Sequence, residues 1–417
     1  MSEELNVMAP LKDIRVLGVT VYLAGPFMMM NLARLGAEAI KVEVPGMGDH
    51  TRTSGPFATP DGLTDTQETE NHVSTRFLKR GQGLKSVTLN LKDPEGRDMF
   101  LKMAENSDVV VENIAPGAMA RLGLGFEEVS AVNPSIVYAS ISGYGQTGPY
   151  AAKRAHDPQI QGMSGLMDIN GAAEGPPTRV GFYIADLVTP LFGCYSILAA
   201  LRERDRTGQG QYIDVSMIDT LTSLIFMDTV EEELEAGISL RQGNDVRGAG
   251  ATGLYHTKDG DIIVTVASND QWNKLVKALD VDSLSNNPRF TTLVERNRHV
   301  DEVKKSLQSI FNEYQREDAI SLLEDNGVPC AAVRGVEEVM EDEHFWKRGS
   351  LLPLFNAAYK DPIPGFVASG FPARFSGGEL PRSKGAPTLG MNNNDVYGDL
   401  LKLDNDELVR LKEKGII

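Results

Sequence analysis

The sequence predicts an α/β fold built around a parallel sheet, with a second, smaller domain. Three observations carry this. Strand and helix signals alternate through the first half of the chain. The strands are short apolar runs of the kind buried on both faces. At 417 residues the chain is long enough for roughly two or three domains.

Taken in order, Ile14–Val19 reads as a buried strand, followed by a turn at Gly25-Pro26 and a helix over Phe27–Leu35. Gly36 stops that helix, because a glycine just past the end accepts the left-handed conformation. Ala39–Val44 is a second strand, and the strand-helix-strand order favours parallel pairing with a right-handed crossover. Residues 45–84, rich in Gly, Thr, Pro and charge, read as one long loop of the kind that is often functional. Ser86–Leu91, Asp108–Asn113 and Ser135–Ile141 are further strands; a helix spans Pro94–Glu105 with Asp93 as its N-cap. Gly143–Pro149 breaks the pattern. A long helix is expected over Leu187–Arg204, then a strand over Gln211–Ser216 and a helix to about Ala236. A Gly-rich connection follows at 237–255. Strand Ile262–Val266 and helical segments near 270–280, 297–313 and 317–326 make a second domain over 225–330. Residues 345–395 show little regular signal, and a last helix covers about 405–414.

Composition narrows the function. With 41 Lys+Arg against 58 Asp+Glu the net charge is −17, which repels nucleic acid and anionic membrane surfaces. No run approaches the roughly 18 apolar residues of a membrane span, and Met1–Glu4 carry acid where a signal peptide carries base. Two cysteines, Cys194 and Cys330, make no disulfide framework and fit a reducing cytoplasm. Scattered His and Cys give no metal spacing, and phosphate-loop and serine-elbow motifs are absent. Cys194, within an apolar helix, reads as a buried inert thiol, and Met28-Met29-Met30 as core packing.

The acidic candidates carry more chemistry. Asp186 stands where the long helix begins: it is either an N-cap or a carboxylate presented at a helix N-terminus, held ionised by amides and the dipole and able to act as a nucleophile. His156-Asp157 precedes a short amphipathic helix, where Asp157 is a candidate cap and His156 exposed. Arg121, on a short helix after Pro116-Gly117, reads locally as a solvated arginine.

Taken together, these segments resemble the class III CoA-transferases, the superfamily of formyl-CoA transferase and carnitine CoA-transferase. The resemblance rests on the ordered set Leu11–Leu17, Ala24-Gly25-Pro26, Leu35–Glu43, Gly48–Arg52, Lys85–Leu91, Val111–Gly117 running to Arg121-Leu122-Gly123, Ser140–Gly145 and Thr207–Gln211. It spans nearly the whole chain. It implies that Asp186 attacks an acyl-CoA thioester and becomes an aspartyl-CoA thioester, and that Asp157 is a supporting acid. It implies CoA contacts at Ala24, Leu89, Asn113, Arg121, Leu122 and Arg154, with CoA a substrate and no permanently bound cofactor. The Gly248-Ala249-Gly250 stretch is the candidate covering loop. Leu23 and Val44 depart from side chains found there in some members, polar and basic respectively.

The same superfamily holds α-methylacyl-CoA racemases, which use a His/Asp pair; His156 and Asp186, thirty residues apart, match that pair's spacing and leave the racemase as an alternative. A subunit of a hetero-oligomeric transferase is a second alternative. The architecture implied is a doubly wound, Rossmann-like large domain built from both chain ends (1–224 and 331–417 with linkers), a smaller α+β domain, and two chains interlocked as a homodimer. Arg179, seven residues before Asp186, is a candidate partner for the second carboxylate of a short dicarboxylic acid such as succinate.

Overall fold

The computed structural model describes residues 7–246 and 248–417; Met1–Glu4 lie outside the described residues. The chain divides into two compact units. The larger comprises residues up to Leu166, Val180–Asp228 and His344–Ile417; the smaller comprises Met167–Arg179 and Thr229–Glu343.

The larger unit is built on six strands: β1 (Arg15–Val19), β2 (Glu38–Glu43), β3 (Lys85–Thr88), β4 (Val109–Glu112), β5 (Val137–Ser142) and β6 (Gln211–Ser216). They lie in the order β3-β2-β1-β4-β5-β6, every neighbouring pair parallel. The predicted mixed α/β class with a large parallel sheet is therefore observed. The direction of winding reverses between β1 and β4, and in such sheets ligands bind beyond the carboxyl ends at this switch point.

Helices of this unit include α1 (Ala24–Arg34), α2 (Thr75–Arg80), α3 (Pro94–Glu105), α4 (Asp157–Met163), α5 (Ile184–Thr207) and α6 (Met217–Ile225). Alternate strand residues feed two apolar layers. Val16, Ala39, Val109, Val111, Val137 and Ala139 pack with Met28, Met29 and Leu32 of α1 and with Ile197 and Leu201 of α5. Leu17, Ile40, Val110 and Tyr138 face the other way, onto Phe100 and Met103 of α3 and onto C-terminal residues such as Tyr397 and Leu411. The Met28–Met30 run is core, as expected. Asp93 caps α3, its carboxylate accepting from Glu95 N at 2.8 Å, with Pro94 in the first turn. Gly36 takes φ +101° after α1, and a Cβ there would meet the Ala9 Cβ at 2.7 Å.

The smaller unit pairs β7 (Gly253–His256), β8 (Asp261–Val264) and β9 (Cys330–Ala332) antiparallel beside α7 (Asn269–Leu279), α8 (Val300–Phe311) and α9 (Arg316–Asp325). Its core gathers Tyr255, Trp272, Phe290 and Phe311. The chain then returns to the larger unit, ending in α10 (Asn393–Leu401) and α11 (Asn405–Glu413).

Several elements differ from expectation. The stretch 45–84 is not one loop: Phe57–Thr59 pairs antiparallel with Gly62–Thr64 and Val73–Ser74, and α2 follows. The turn residues Pro60-Asp61-Gly62 make this hairpin, and strands of two or three residues are too short to show periodicity. The helix expected to run to Ala236 breaks into α6 and Val230–Glu235. In 345–395, Leu351–Pro353 pairs with Val367–Ser369. Helix α5 starts at Ile184 rather than Leu187 and is the one described helix long and apolar enough by composition to cross a membrane. Ala185, Thr189, Gly193, Ile197 and Leu201 bury one face of it in the sheet's core, so its apolar character serves packing on that side.

Candidate active site

The carboxyl edge of the sheet, on both sides of the switch point, carries a dense set of charged groups. The chain leaves β1 through Thr20-Val21-Tyr22 and leaves β4 at Asn113. Asn113 binds both backbone groups of Val21, accepting from its N–H at 2.8 Å and donating to its carbonyl at 3.0 Å. A Cβ on Gly25 would sit 2.6 Å from the Asn113 Oδ1, so the start of α1 can approach this bridge only as glycine. Ala24, the first residue of α1, is buried beside it.

Tyr22 has φ +63°, a conformation a bulky non-glycine side chain adopts only when its surroundings impose it. Its N–H donates to Asp49, at 3.1 Å to Oδ2, and its carbonyl accepts from the Arg80 guanidinium at 3.2 Å. Its ring stacks on His50 at 5.3 Å and meets His156 edge-on at 6.1 Å.

Behind Tyr22 the charges are paired and buried. Lys41 on β2 sits 2.9 Å from Asp49, with both side chains essentially inaccessible. Arg52 grips Glu43 through Nε at 2.8 Å and Nη2 at 2.7 Å, reaches the Pro387 carbonyl at 3.0 Å, and covers the Phe77 ring. Glu43 Oε2 also accepts from Asp49 N, at 2.9 Å, which ties the two pairs together. Burial pushes the Asp49 carboxyl up, but Lys41 and Thr51 outweigh it and hold it below its usual range. Burial pushes Glu43 up too, and Arg52, Lys41 and Ser86 outweigh it in the same way.

Asp186 is arranged differently. It is half-buried at the third position of α5, whose N-cap is Tyr183, so it is not the cap that local sequence suggested. The first-turn amides are taken by Asp157, which is only 1% exposed. One of its oxygens accepts from Ala185 N at 2.7 Å and from Asp186 N at 3.4 Å; the other accepts from Gln161 at 2.5 Å. Asp157 thus caps α5 from α4 and is not the cap of its own helix; His156 holds that position, exposed, its N–H donating to Gln159 at 3.1 Å. With those amides engaged, Asp186 is not held in the low carboxylate range. Burial first, and then the Asp157 charge, push its carboxyl up to about 6, against an opposing pull from Arg80. Pro190, four residues on, has no N–H to offer the Asp186 carbonyl, so the first turn of α5 is open at that point.

The structure therefore brings Asp186 and Asp157 together, and brings His156 to the Tyr22 ring. Leu89 and Leu122 join the apolar layer below the edge, while Arg121 and Arg154 are exposed on the same unit. Arg179 belongs to the smaller unit. So does the Gly248–Gly250 loop, where Asn297 accepts from Gly250 N at 2.9 Å and donates to the Gly248 carbonyl at 3.0 Å. Cys194 is buried, its thiol pushed up to about 12 by burial, which makes it inert. Sequence reading missed Tyr22, Arg80 and the Lys41–Asp49 pair. The one signal for the pair was Lys41 standing between Ile40 and Val42 in the middle of a buried strand.

Comparison with known proteins follows the geometry. CoA-transferase family III matches residues 11–393. Succinyl-CoA:glutarate CoA-transferase of Mus musculus is 32% identical, over 99% of this chain and 92% of that protein. Succinyl-CoA–D-citramalate CoA-transferase of Chloroflexus aurantiacus is 32% identical, over 98% of each. Among solved structures, a CaiB/BaiF family protein from Brucella suis superposes with TM-score 0.81 at 30% identity, covering 94% of this chain and 99% of that one.

Proposed function

Since the chain belongs to CoA-transferase family III and is an enzyme of that class, we propose that Asp186 is its nucleophile and that it moves CoA between dicarboxylic acids. The observation that carries this is a half-buried carboxyl at the start of α5, beside Asp157, raised to about 6 by burial and by that neighbour's charge. Such a group is ionised at neutral pH, yet weakly solvated enough to attack.

The Asp186 carboxylate adds to the thioester carbonyl; the C–S bond breaks, leaving a mixed anhydride and CoA thiolate. The thiolate attacks the aspartyl carbonyl of the anhydride and expels the donor carboxylate, giving an aspartyl-CoA thioester. An acceptor carboxylate then attacks that thioester, forming a second anhydride and free thiolate. The thiolate takes the acceptor's acyl carbon and regenerates Asp186. Atoms and charge balance without water, so exclusion of water decides between transfer and hydrolysis. Asp157 fixes the first turn of α5 and so the position of Asp186. CoA would lie against Ala24, Leu89, Asn113 and Leu122, with Arg121 and Arg154 toward its phosphates. The dicarboxylic preference rests on relatives named for glutarate and D-citramalate.

We read the two units as the large and small domains of interlocked homodimer chains. The exposed Leu191 and Tyr195 on α5, beside Phe192, support an apolar contact with a second copy. Native mass spectrometry tests this: a dimer is expected, whereas a monomer, or activity only with a related second subunit, would overturn the homodimer.

The chemical test is mass spectrometry after incubation with a panel of acyl-CoAs and trapping with hydroxylamine. A modification on the Asp186 peptide, lost in Asp186→Ala, is expected. No adduct, together with deuterium entering the α-carbon of a branched acyl-CoA from D₂O, would instead make His156 and Asp186 a racemase pair.

A further inference from the structure

Three of the cations at this edge of the sheet, Lys41, Arg52 and Arg80, are not alike. Lys41 is matched to Asp49 and Arg52 to Glu43, each buried with its partner. Arg80, the last residue of α2, is half-buried, and among the described residues it makes no ion pair. Its only hydrogen bond among those residues is to the Tyr22 carbonyl, at 3.2 Å, which leaves most of the guanidinium's N–H groups unused. Burial pulls its guanidinium below the usual range, and the charges that act on it are Asp186 first, then Asp49, which oppose that, and Arg76, which adds to it.

A half-buried guanidinium with most of its N–H groups unused is a ready donor for a carboxylate brought to this edge. Asp49 is committed to Lys41, and Asp186 must stay free to attack. The reacting carbonyl of an acyl-CoA is neutral, so it supplies no anion in the ground state. A second carboxylate elsewhere on the acyl group does.

We propose that Arg80 receives the remote carboxylate of a dicarboxylic acyl group, and that this contact selects dicarboxylic over monocarboxylic substrates. The assignment rests on the proposed transfer at Asp186 and adds the residue that reads the substrate's second charge. The planar guanidinium suits a bidentate carboxylate contact, which an ammonium at the same position would not reproduce.

The test compares succinyl-CoA with butyryl-CoA, chains of equal carbon number that differ in the terminal carboxylate. The ratio of their rates of adduct formation at Asp186 is measured in the unsubstituted protein, Arg80→Gln and Arg80→Lys. Arg80→Gln is expected to lower the succinyl/butyryl ratio about 30- to 100-fold, and Arg80→Lys to keep part of it. An unchanged ratio with both rates lowered would make Arg80 a prop for the Tyr22 backbone and overturn the proposal. A loss of calorimetric affinity shared by succinyl-CoA, butyryl-CoA and free CoA would assign the guanidinium to a CoA phosphate, with the same consequence. The ratio is also read as calorimetric affinities in an Asp186→Asn background. That measurement needs no covalent step, so absence of an adduct would sink the Asp186 reading and leave Arg80 separately tested.

Discussion

Two groups of charges share one edge of the sheet and have opposite characters. In the Lys41–Asp49 and Glu43–Arg52 group, each charge has an opposite charge within hydrogen-bonding distance, and both acids sit below their usual range. In the Asp186–Asp157–Arg80 group, two carboxylates share one corner, the cation has no ion pair among the described residues, and Asp186 is raised to about 6. Tyr22 joins the two, its N–H held by Asp49 and its carbonyl by Arg80. On the proposed mechanism, completeness of pairing separates scaffold from chemistry: the matched charges fix a backbone that would otherwise relax, and Asp186 and Arg80 are left for substrate.

The contrast breaks first at Asp186. Asp186→Asn is expected to lower transfer by about 10⁴-fold, near 5.4 kcal/mol of transition-state stabilisation, while leaving urea unfolding within about 1 kcal/mol of the parent. An equal loss of stability would place Asp186 among the scaffold groups. The reverse pattern is expected on the other side. Asp49→Ala strands Lys41 as a buried charge and should cost about 3–5 kcal/mol in urea unfolding. Because the Asp49 and Glu43 carboxyls lie below their ordinary values in the folded protein, their contribution is present above those ordinary values. It is lost as pH falls through the folded ones, so acid unfolding of the parent is expected only below pH about 4.

Next in size is the pH profile of the reactive group. If Asp186 is the nucleophile, as proposed, it acts in its ionised form, so adduct formation should rise about tenfold per pH unit below 6 and level off above it. A profile already flat at pH 5 would mean that Asp186 is paired as fully as Asp49.

Much of this organisation is legible in the amino-acid order because it is local. The alternation of buried strands with helices, the Asp93 cap before Pro94 and the glycine stop at Gly36 all act within a few residues. What the sequence hides is assembled from distant segments. Asp157 caps a helix that begins 27 residues later, and Asp49 reaches the backbone of Tyr22. Both look like ordinary polar residues until the fold brings them to their amides. Arg80 is hidden for a further reason: a lone arginine ending a short helix reads as a solvated C-terminal cation, and only the missing partner distinguishes it.

The smallest expected effect sharpens the comparison within the reactive group itself. Asp157→Asn keeps a side-chain oxygen able to accept from the Ala185 amide but sets its NH2 against the Gln161 donor, so the α5 cap should survive at a cost of about 1–3 kcal/mol. The substitution removes the negative charge that, after burial, raises Asp186. The acid limb of the pH profile should therefore move to lower pH, by less than the shift that burial alone produces. Arg80→Gln removes the charge that opposes them, so its limb should move to higher pH. Opposite displacements would show that Asp186 is poised between two charges. No displacement in either would leave burial as the sole cause and reduce Asp157 to a helix cap, and displacement in the same direction would overturn the opposed action of the two charges.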